Sequence, residues 1–315
     1  MNRVLAITLC AAVAVTVNAF TPAIGYRTVD LDINGSAIAV SPSGKLAVGE
    51  DAFGGGAVVR VFDSVLPGRN LLYTITAPSG HNWQFLAALT WQDDDTLFIA
   101  ENGDMDTVYA SVGTTVTALA PVGSIPSISG LTLGFGGELF ATGATDPGTG
   151  TVYHVQSGTA TIFATSLGTG YLGGVAFLND VLYVADNNDP FFMGNPGLVH
   201  RFASDGSYLG AISLAGGGGS GVVDILFDTE GDLVATTGTT ITINGETLGT
   251  FSGPWPFPTF LAYTGTGFEP FSGTGLLLVN GTFTEVGGIF GITPVPEPGA
   301  IALLLPALAL MRKRR

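Results

Sequence analysis

The chain has 315 residues, of which 46% are hydrophobic and only 11% are charged, and its formal net charge is −15. The apolar content excludes an intrinsically disordered chain, and the 47 glycines at low charge indicate many short strands joined by tight turns instead of helices. Residues 20–295 contain 24 acidic residues and 5 basic ones. The resulting net charge of −19 repels nucleic acid and anionic lipid.

The first 19 residues have the three parts of a secretory signal peptide. Arg3 supplies the positive charge, residues 4–17 are apolar, and a small-x-small site predicts cleavage between Ala19 and Phe20. The only cysteine, Cys10, lies inside this segment. The mature protein is therefore expected to contain no thiol and no disulfide.

A unit of strand, turn, strand, loop and strand recurs through residues 20–292, which we assign to one domain. Its second strands carry a leucine at intervals of 51, 42, 43, 51 and 44 residues, namely Leu46, Leu97, Leu139, Leu182, Leu233 and Leu277. Its predicted first strands are Ala37–Val40, Leu86–Trp91, Ile128–Leu133, Leu172–Phe177, Val223–Phe227 and Phe260–Tyr263.

Six such units predict an all-β fold, a six-bladed β-propeller. A single four-stranded blade cannot bury both of its faces, whereas radial stacking buries them against the neighbouring blades. Residues 26–31 alternate in hydrophobicity and are expected to close the ring beside residues 288–292. Glycines beside the first strands fit close backbone approach at a crowded axis, as at Gly130, Gly173, Gly174 and Gly221. A β-sandwich or a jelly roll is the alternative fold.

The unit resembles the NHL-type propeller repeat. The matching residues are Val175–Phe177, Leu182–Asp186 and Val199–Phe202, followed by Asp205-Gly206. The first and fourth units match well, the second and third match only in their strands, and the last two diverge. The resemblance implies a protein that binds partners, although the wider six-bladed group includes lactonases and other hydrolases.

Acidic side chains cluster in the loops that follow the second strands, which share one face of a propeller. Carboxylate oxygens suit Ca²⁺, so these loops form a weak candidate calcium site. The alternative is that they cap turns in solvent. The candidate ligands are Glu101, Asp104, Asp106, Asp186 and Asp189, with Glu50, Asp51 and Asp146 in equivalent loops.

Asp224 stands apart because it lies within a predicted first strand, on the same side as Leu226. A carboxylate there can face the central channel, where the calcium-dependent lactonases of this fold group keep their metal ligands. The other first strands offer Ala, Gly, Ser or Thr, so most of such a ligand set is missing. His81, His154 and His200 are scattered and match no catalytic spacing.

The last 23 residues, 293–315, form a second targeting segment. Pro296-Glu297-Pro298 precedes 13 apolar residues and the basic cluster Arg312-Lys313-Arg314-Arg315. A helix of that length reaches about 20 Å, which is short of the roughly 30 Å hydrocarbon core. The segment resembles the PEP-CTERM sorting signal, which implies an exosortase-like membrane protease as partner. An ordinary C-terminal membrane tail is the alternative.

Together these features predict a non-enzymatic binding or structural protein at the bacterial cell surface or in the extracellular matrix, without a cofactor. It would pass through a secretion translocase, contact the inner membrane transiently, and associate with exopolysaccharide or surface proteins. The alternatives are a secreted lactonase-like hydrolase and a calcium-stabilised adhesion module.

Overall fold

The computed structural model describes residues 19–23, 26–52, 55–146, 149–167, 172–187, 197–214, 221–228, 230–237, 240–252, 258–263, 277–281 and 288–294. Both terminal targeting segments, including Glu297 and the basic cluster, lie outside these ranges, apart from Ala19 and residues 293 and 294. In the described part of the chain, no helix is long and apolar enough to cross a bilayer. The described helical structure is one 3-10 turn at Phe135–Gly137.

The described strands, in chain order, form six antiparallel sheets. Two strands come first, β1 (Ala19–Pro22) and β2 (Tyr26–Asn34). Sheet 1 contains β3 (Ala37–Val40), β4 (Leu46–Glu50), β5 (Val58–Phe62) and β6 (Leu71–Thr76). Sheet 2 contains β7 (Leu86–Trp91), β8 (Thr96–Glu101), β9 (Thr107–Val112) and β10 (Thr115–Ala118). Sheet 3 contains β11 (Gly130–Leu133), β12 (Leu139–Asp146), β13 (Thr149–Gln156) and β14 (Thr159–Leu167).

The remaining sheets follow the same order. Sheet 4 contains β15 (Leu172–Leu178), β16 (Val181–Asp186), β17 (Gly197–Phe202) and β18 (Tyr208–Leu214). Sheet 5 contains β19 (Val222–Phe227), β20 (Leu233–Thr237), β21 (Thr240–Ile243) and β22 (Glu246–Ser252), with β1 added at its outer edge. Sheet 6 contains β23 (Pro258–Tyr263), β24 (Leu277–Gly281) and β25 (Gly288–Pro294), and β2 is its outer strand.

The first strands of the six sheets contact one another in a closed ring, β3–β7–β11–β15–β19–β23 and back to β3. A hydrophobic cluster fills the space between each pair of neighbouring sheets. At the junction that closes the ring, Leu46 and Val48 of sheet 1 pack with Leu31 and Ile289 of sheet 6. The fold is therefore a β-propeller, and the sandwich and jelly-roll alternatives are excluded.

The predicted elements agree closely with the observed ones. All six anchor leucines lie on second strands, and the predicted first strands correspond to β3, β7, β11, β15, β19 and β23. The strand β11 begins two residues later than predicted, at Gly130. The tryptophans Trp83 and Trp91 are buried between sheets 1 and 2.

The N-terminal strand closes the ring as predicted. Within β2, Thr28 lies opposite Ile292 of β25. The strand β1 was not predicted, because its four residues adjoin the apolar signal segment. It pairs with β22, with Phe20 opposite Phe251, so the N-terminal residues complete two adjacent sheets from outside.

Two glycines allow the inner strands of sheets 4 and 5 to approach closely. A Cβ atom at Gly173 would lie 1.9 Å from the carbonyl oxygen of Val223, and one at Gly174 would lie 1.7 Å from Oδ1 of Asp224. No side chain tolerates such distances. This confirms the expected role of glycine near the axis.

Candidate functional site

The central channel contains a cavity of about 300 Å³ lined by residues of all six first strands. Most of its lining residues have apolar side chains, and Thr90, Ser129 and Thr132 supply hydroxyl groups. Among the described lining residues, Asp224 is the one ionisable side chain. The channel is therefore a concave site in which polar groups, many of them from the backbone, accompany apolar side chains.

Asp224 is held by backbone groups of two adjacent inner strands. Its Oδ1 accepts a hydrogen bond from the amide of Ile225 at 2.9 Å, and its Oδ2 accepts one from the amide of Leu261 in sheet 6 at 2.7 Å. The hydroxyl of Thr236 accepts from the amide of Asp224 at 2.9 Å. The side chain lines the channel, as the alternation of the strand allowed, and its Oδ2 reaches the inner strand of sheet 6.

Burial raises the pKa of Asp224 to about 7, although the hydrogen bonds from Leu261 and Ile225 act in the opposite direction. Part of the side-chain surface remains open to the channel, but the surrounding walls replace most of the water that would stabilise the charge. The carboxyl group therefore exchanges its proton near neutral pH, which suits a general acid or base.

The predicted calcium ligands of sheet 2 serve the loop that carries them. Glu101 is fully buried, and its two oxygens accept from the amides of Gln84 and Met105, both at 2.9 Å. Asp104 accepts from the side chain of Asn82 at 3.2 Å. Burial raises the pKa of Asp106, with a further contribution from the negative charge of Glu101.

The fourth predicted ligand, Asp186, has a different partner. It is fully buried, and its Oδ2 lies 3.0 Å from Nε2 of His200. This pairing was missed in the sequence analysis. The contact follows from the register between the strands, in which Asp186 lies opposite Leu198 on β17 and His200 comes two residues further on the same face. Asp189 and the side chain of Asp146 lie outside the described residues.

The oxygen donors of the described residues do not fit a resident calcium ion. Ca²⁺ takes six to eight oxygen ligands, but the first strands bring one carboxylate to the described channel wall. Elsewhere among the described residues, no three His, Cys, Asp or Glu side chains come together closely enough to hold a metal. Chemistry at this site has to be derived from Asp224 and its neighbours.

No protein-family model matches the sequence, and no curated protein matches it significantly. Solved structures match its fold. Virginiamycin B lyase from Staphylococcus aureus is 14% identical, with a TM-score of 0.55, covering 88% of this chain and 100% of the lyase. A gluconolactonase from Xanthomonas campestris is 15% identical, with a TM-score of 0.57, covering 86% of this chain and 90% of that chain.

A luciferin-regenerating enzyme is 12% identical, with a TM-score of 0.58, covering 86% of this chain and 96% of that enzyme. At these identities the likeness establishes the fold. The expectation of a non-enzymatic binding or structural propeller is corrected to this extent: the three solved structures named here are a lyase, a lactonase and a regenerating enzyme. The lactonase-like alternative agrees better with these neighbours, and the chain is similar in fold to propeller enzymes.

Proposed function

We propose that the chain is an exported, six-bladed propeller hydrolase that opens small lactones in its central channel. One observation carries the proposal: a carboxyl group in the channel, Asp224, with a pKa of about 7. The gluconolactonase of similar fold supports the choice of substrate class. A cavity of about 300 Å³ has the size of a small-molecule site.

Asp224 would act as a general base. Its carboxylate takes a proton from a water molecule as the water oxygen attacks the lactone carbonyl, and it returns the proton to the ring oxygen as the C–O bond breaks. The amides of Ile225 and Leu261 fix the carboxylate in place. Thr90 and Thr132 offer hydroxyl groups to a polyhydroxylated substrate. The product acid is then repelled by the ionised Asp224 and by the acidic protein.

The test is a panel of aldonolactones and acyl-homoserine lactones, followed through the acid released. The wild-type rate should rise between pH 6 and 8 as Asp224 ionises, and it should persist in chelator. Asp224→Asn should abolish it, whereas Asp205→Asn, which changes an exposed turn carboxylate hydrogen-bonded to Ser207, should not. Activity retained in Asp224→Asn, or no lactone opened by the wild type, overturns the proposal. Loss of the lactonase activity in the presence of chelator would indicate a metal centre instead.

We also propose that the C-terminal segment sorts the protein to the cell surface, with transient inner-membrane contact. The last residue of β25, Pro294, lies opposite Tyr26, so Pro296-Glu297-Pro298 begins two residues beyond the folded sheet. An exosortase-like protease would cut there, while the basic cluster keeps the apolar run oriented with the propeller outside.

Mass spectrometry of the surface fraction tests the sorting proposal independently of activity. Cells with the processing enzyme should release a chain that ends near Pro296, and changing Glu297 or the cluster Arg312–Arg315 should leave the longer form at the inner membrane. Intact Arg315 on the released protein would show a plain membrane tail.

A further inference from the structure

A hydrogen-bonded chain crosses sheet 4 from its interior to its outer edge. Oδ2 of Asp186 lies 3.0 Å from Nε2 of His200, and Nδ1 of His200 lies 3.1 Å from the hydroxyl oxygen of Tyr208. Asp186 is 0% exposed and His200 is 6% exposed, but Tyr208 is 54% exposed. Strands β16, β17 and β18 each contribute one member. The chain thus joins a buried carboxylate to a phenol at the surface.

The chemistry of the three groups fixes the direction of proton transfer. An ionised carboxylate only accepts hydrogen bonds, so we assign the proton of the neutral imidazole to Nε2, and Nδ1 then accepts from the hydroxyl of Tyr208. Among the described residues, the second oxygen of Asp186 has no hydrogen-bond partner although it is buried. The carboxylate lies beside the imidazole as the Asp of a catalytic triad does, so it can stabilise the charge that forms when His200 takes a proton.

We propose that Tyr208 is an oxidation site, a phenol that a one-electron oxidant converts to a tyrosyl radical while His200 takes its proton. Loss of an electron from a phenol near neutral pH requires loss of the hydroxyl proton as well. A hydrogen-bonded imidazole backed by a carboxylate receives that proton without the high-energy phenol cation. The exposed ring is open to the oxidant and to a second radical.

The product is a carbon–carbon bond between the rings of two chains. Each Tyr208 gives one electron to the oxidant, two radicals couple at the carbons beside their hydroxyls, and the displaced ring hydrogens move to the oxygens as aromaticity returns. The two electrons and the two protons released through His200 reduce one molecule of hydrogen peroxide to two waters when a haem peroxidase is the oxidant. The ligand class is therefore a peroxidase-type oxidant, and the partner is a second copy of this chain.

Other tyrosines provide internal comparisons. Tyr109 also bonds a histidine, with its hydroxyl 2.8 Å from Nδ1 of His81, but its side chain is completely buried. Of the tyrosines whose side chains are described, Tyr208 is the exposed one. Tyr109 therefore separates the effect of the histidine from the effect of exposure, and it should not form a cross-link.

The experiment treats the purified protein with a haem peroxidase and hydrogen peroxide at neutral pH. Dityrosine fluorescence gives the rate, and tandem mass spectrometry of the cross-linked peptides gives the site. We expect a Tyr208–Tyr208 product, and none from Tyr208→Phe. The matched control is Leu72→Tyr in the Tyr208→Phe background, because Leu72 is 47% exposed on β6, the outermost strand of sheet 1. Its cross-linking rate should be well below that of the wild type.

Equal rates in this control and the wild type would show that exposure alone explains the reactivity and would overturn the proposal. His200→Gln and Asp186→Asn should lower the rate at Tyr208 to that of the control, while circular dichroism confirms the fold. If His200→Gln or Asp186→Asn does not fold, the cross-linking rate of the Leu72→Tyr control compared with the wild type still tests the proposal, because both proteins keep His200 and Asp186. A cross-link at another tyrosine of the wild type also contradicts the proposal.

Discussion

Folding moves the pKa of Asp224 far from its ordinary value. Its carboxyl group accepts two backbone hydrogen bonds, yet burial outweighs them and raises its pKa from 3.8 to about 7. The native protein therefore holds a proton between these two pH values that the unfolded chain has already lost. Stability must fall as the pH rises through this window, because the native state binds more protons there.

We predict that Asp224→Asn removes this pH dependence. The contribution of a single fully transferred proton is about 1.4 kcal/mol per pH unit, so urea unfolding at pH 4.5 and 6.5 should reveal it in the wild type. The variant should lose that part of the slope, whereas Asp205→Asn should retain it. The same slope in Asp224→Asn would mean that another group carries the linkage.

The sequence identified Asp224 and its orientation but not the Asp186–His200–Tyr208 chain. Asp224 was found because alternation within one strand suffices to place it. Asp186, His200 and Tyr208 lie on three different strands, so their contact depends on the register between those strands. That register includes a shift between Arg201 and Phe202, which no local sequence pattern reveals.

At the scale of elements, the turns between first and second strands link neighbouring sheets. Oδ1 of Asp94 in sheet 2 accepts from the hydroxyl of Ser41 at 2.7 Å and from the amide of Ser43 at 2.9 Å, both in the equivalent turn of sheet 1. The ammonium of Lys45 donates to the carbonyl oxygen of Asp94 at 2.7 Å. These bonds lower the pKa of Asp94 to about 2, the hydroxyl groups of Ser41 and Ser43 first.

We predict that Asp94→Ala lowers the melting temperature at pH 7 and that the difference from wild type shrinks in acid. The stabilisation is complete above the ordinary pKa of 3.8 and is lost as the pH falls towards 2, because protonation then removes the acceptor charge. The neighbouring Asp95→Ala is the control, since Asp95 is 86% exposed and 3.9 Å from Lys45. An equal effect of both variants would show a general charge effect instead of a turn contact.

At the scale of the molecule, ring closure depends on the N-terminal strand. Leu31 of β2 is fully buried in the cluster that joins sheets 6 and 1, whereas Leu71 of β6 occupies the outermost strand of sheet 1 and is 52% exposed. The two leucines share residue type and position in a sheet but differ in burial.

We predict that Leu31→Ala destabilises the protein by about 2–5 kcal/mol. Leu71→Ala should change the free energy of unfolding by no more than about 0.5 kcal/mol. Chemical denaturation of the two variants measures both. Similar small effects would mean that β2 is dispensable for the closed ring.

The repeat period predicted the architecture because every unit obeys the same packing rule, and it predicted β2 because alternation continues there. The pairing of β1 with β22 could not be read in the same way. Four residues carry no period, and Phe20 reads equally as the end of an apolar segment.

The pairing of β2 with β25 joins two strands that are far apart in the sequence. Thr28 emerges from the ribosome long before its partner Ile292, because the strands β3 to β24 lie between them in the sequence. The entropic cost of closing so long a loop is modest, at about 0.6 kcal/mol per doubling of length. Bringing two strands together over such a separation is nevertheless slow. A chain that stops short of β25 leaves β2 unpaired and the cluster around Leu31 open to water. The buried state of the Leu31 cluster therefore depends on a strand about 260 residues further along the chain, so β25 protects an element made long before it.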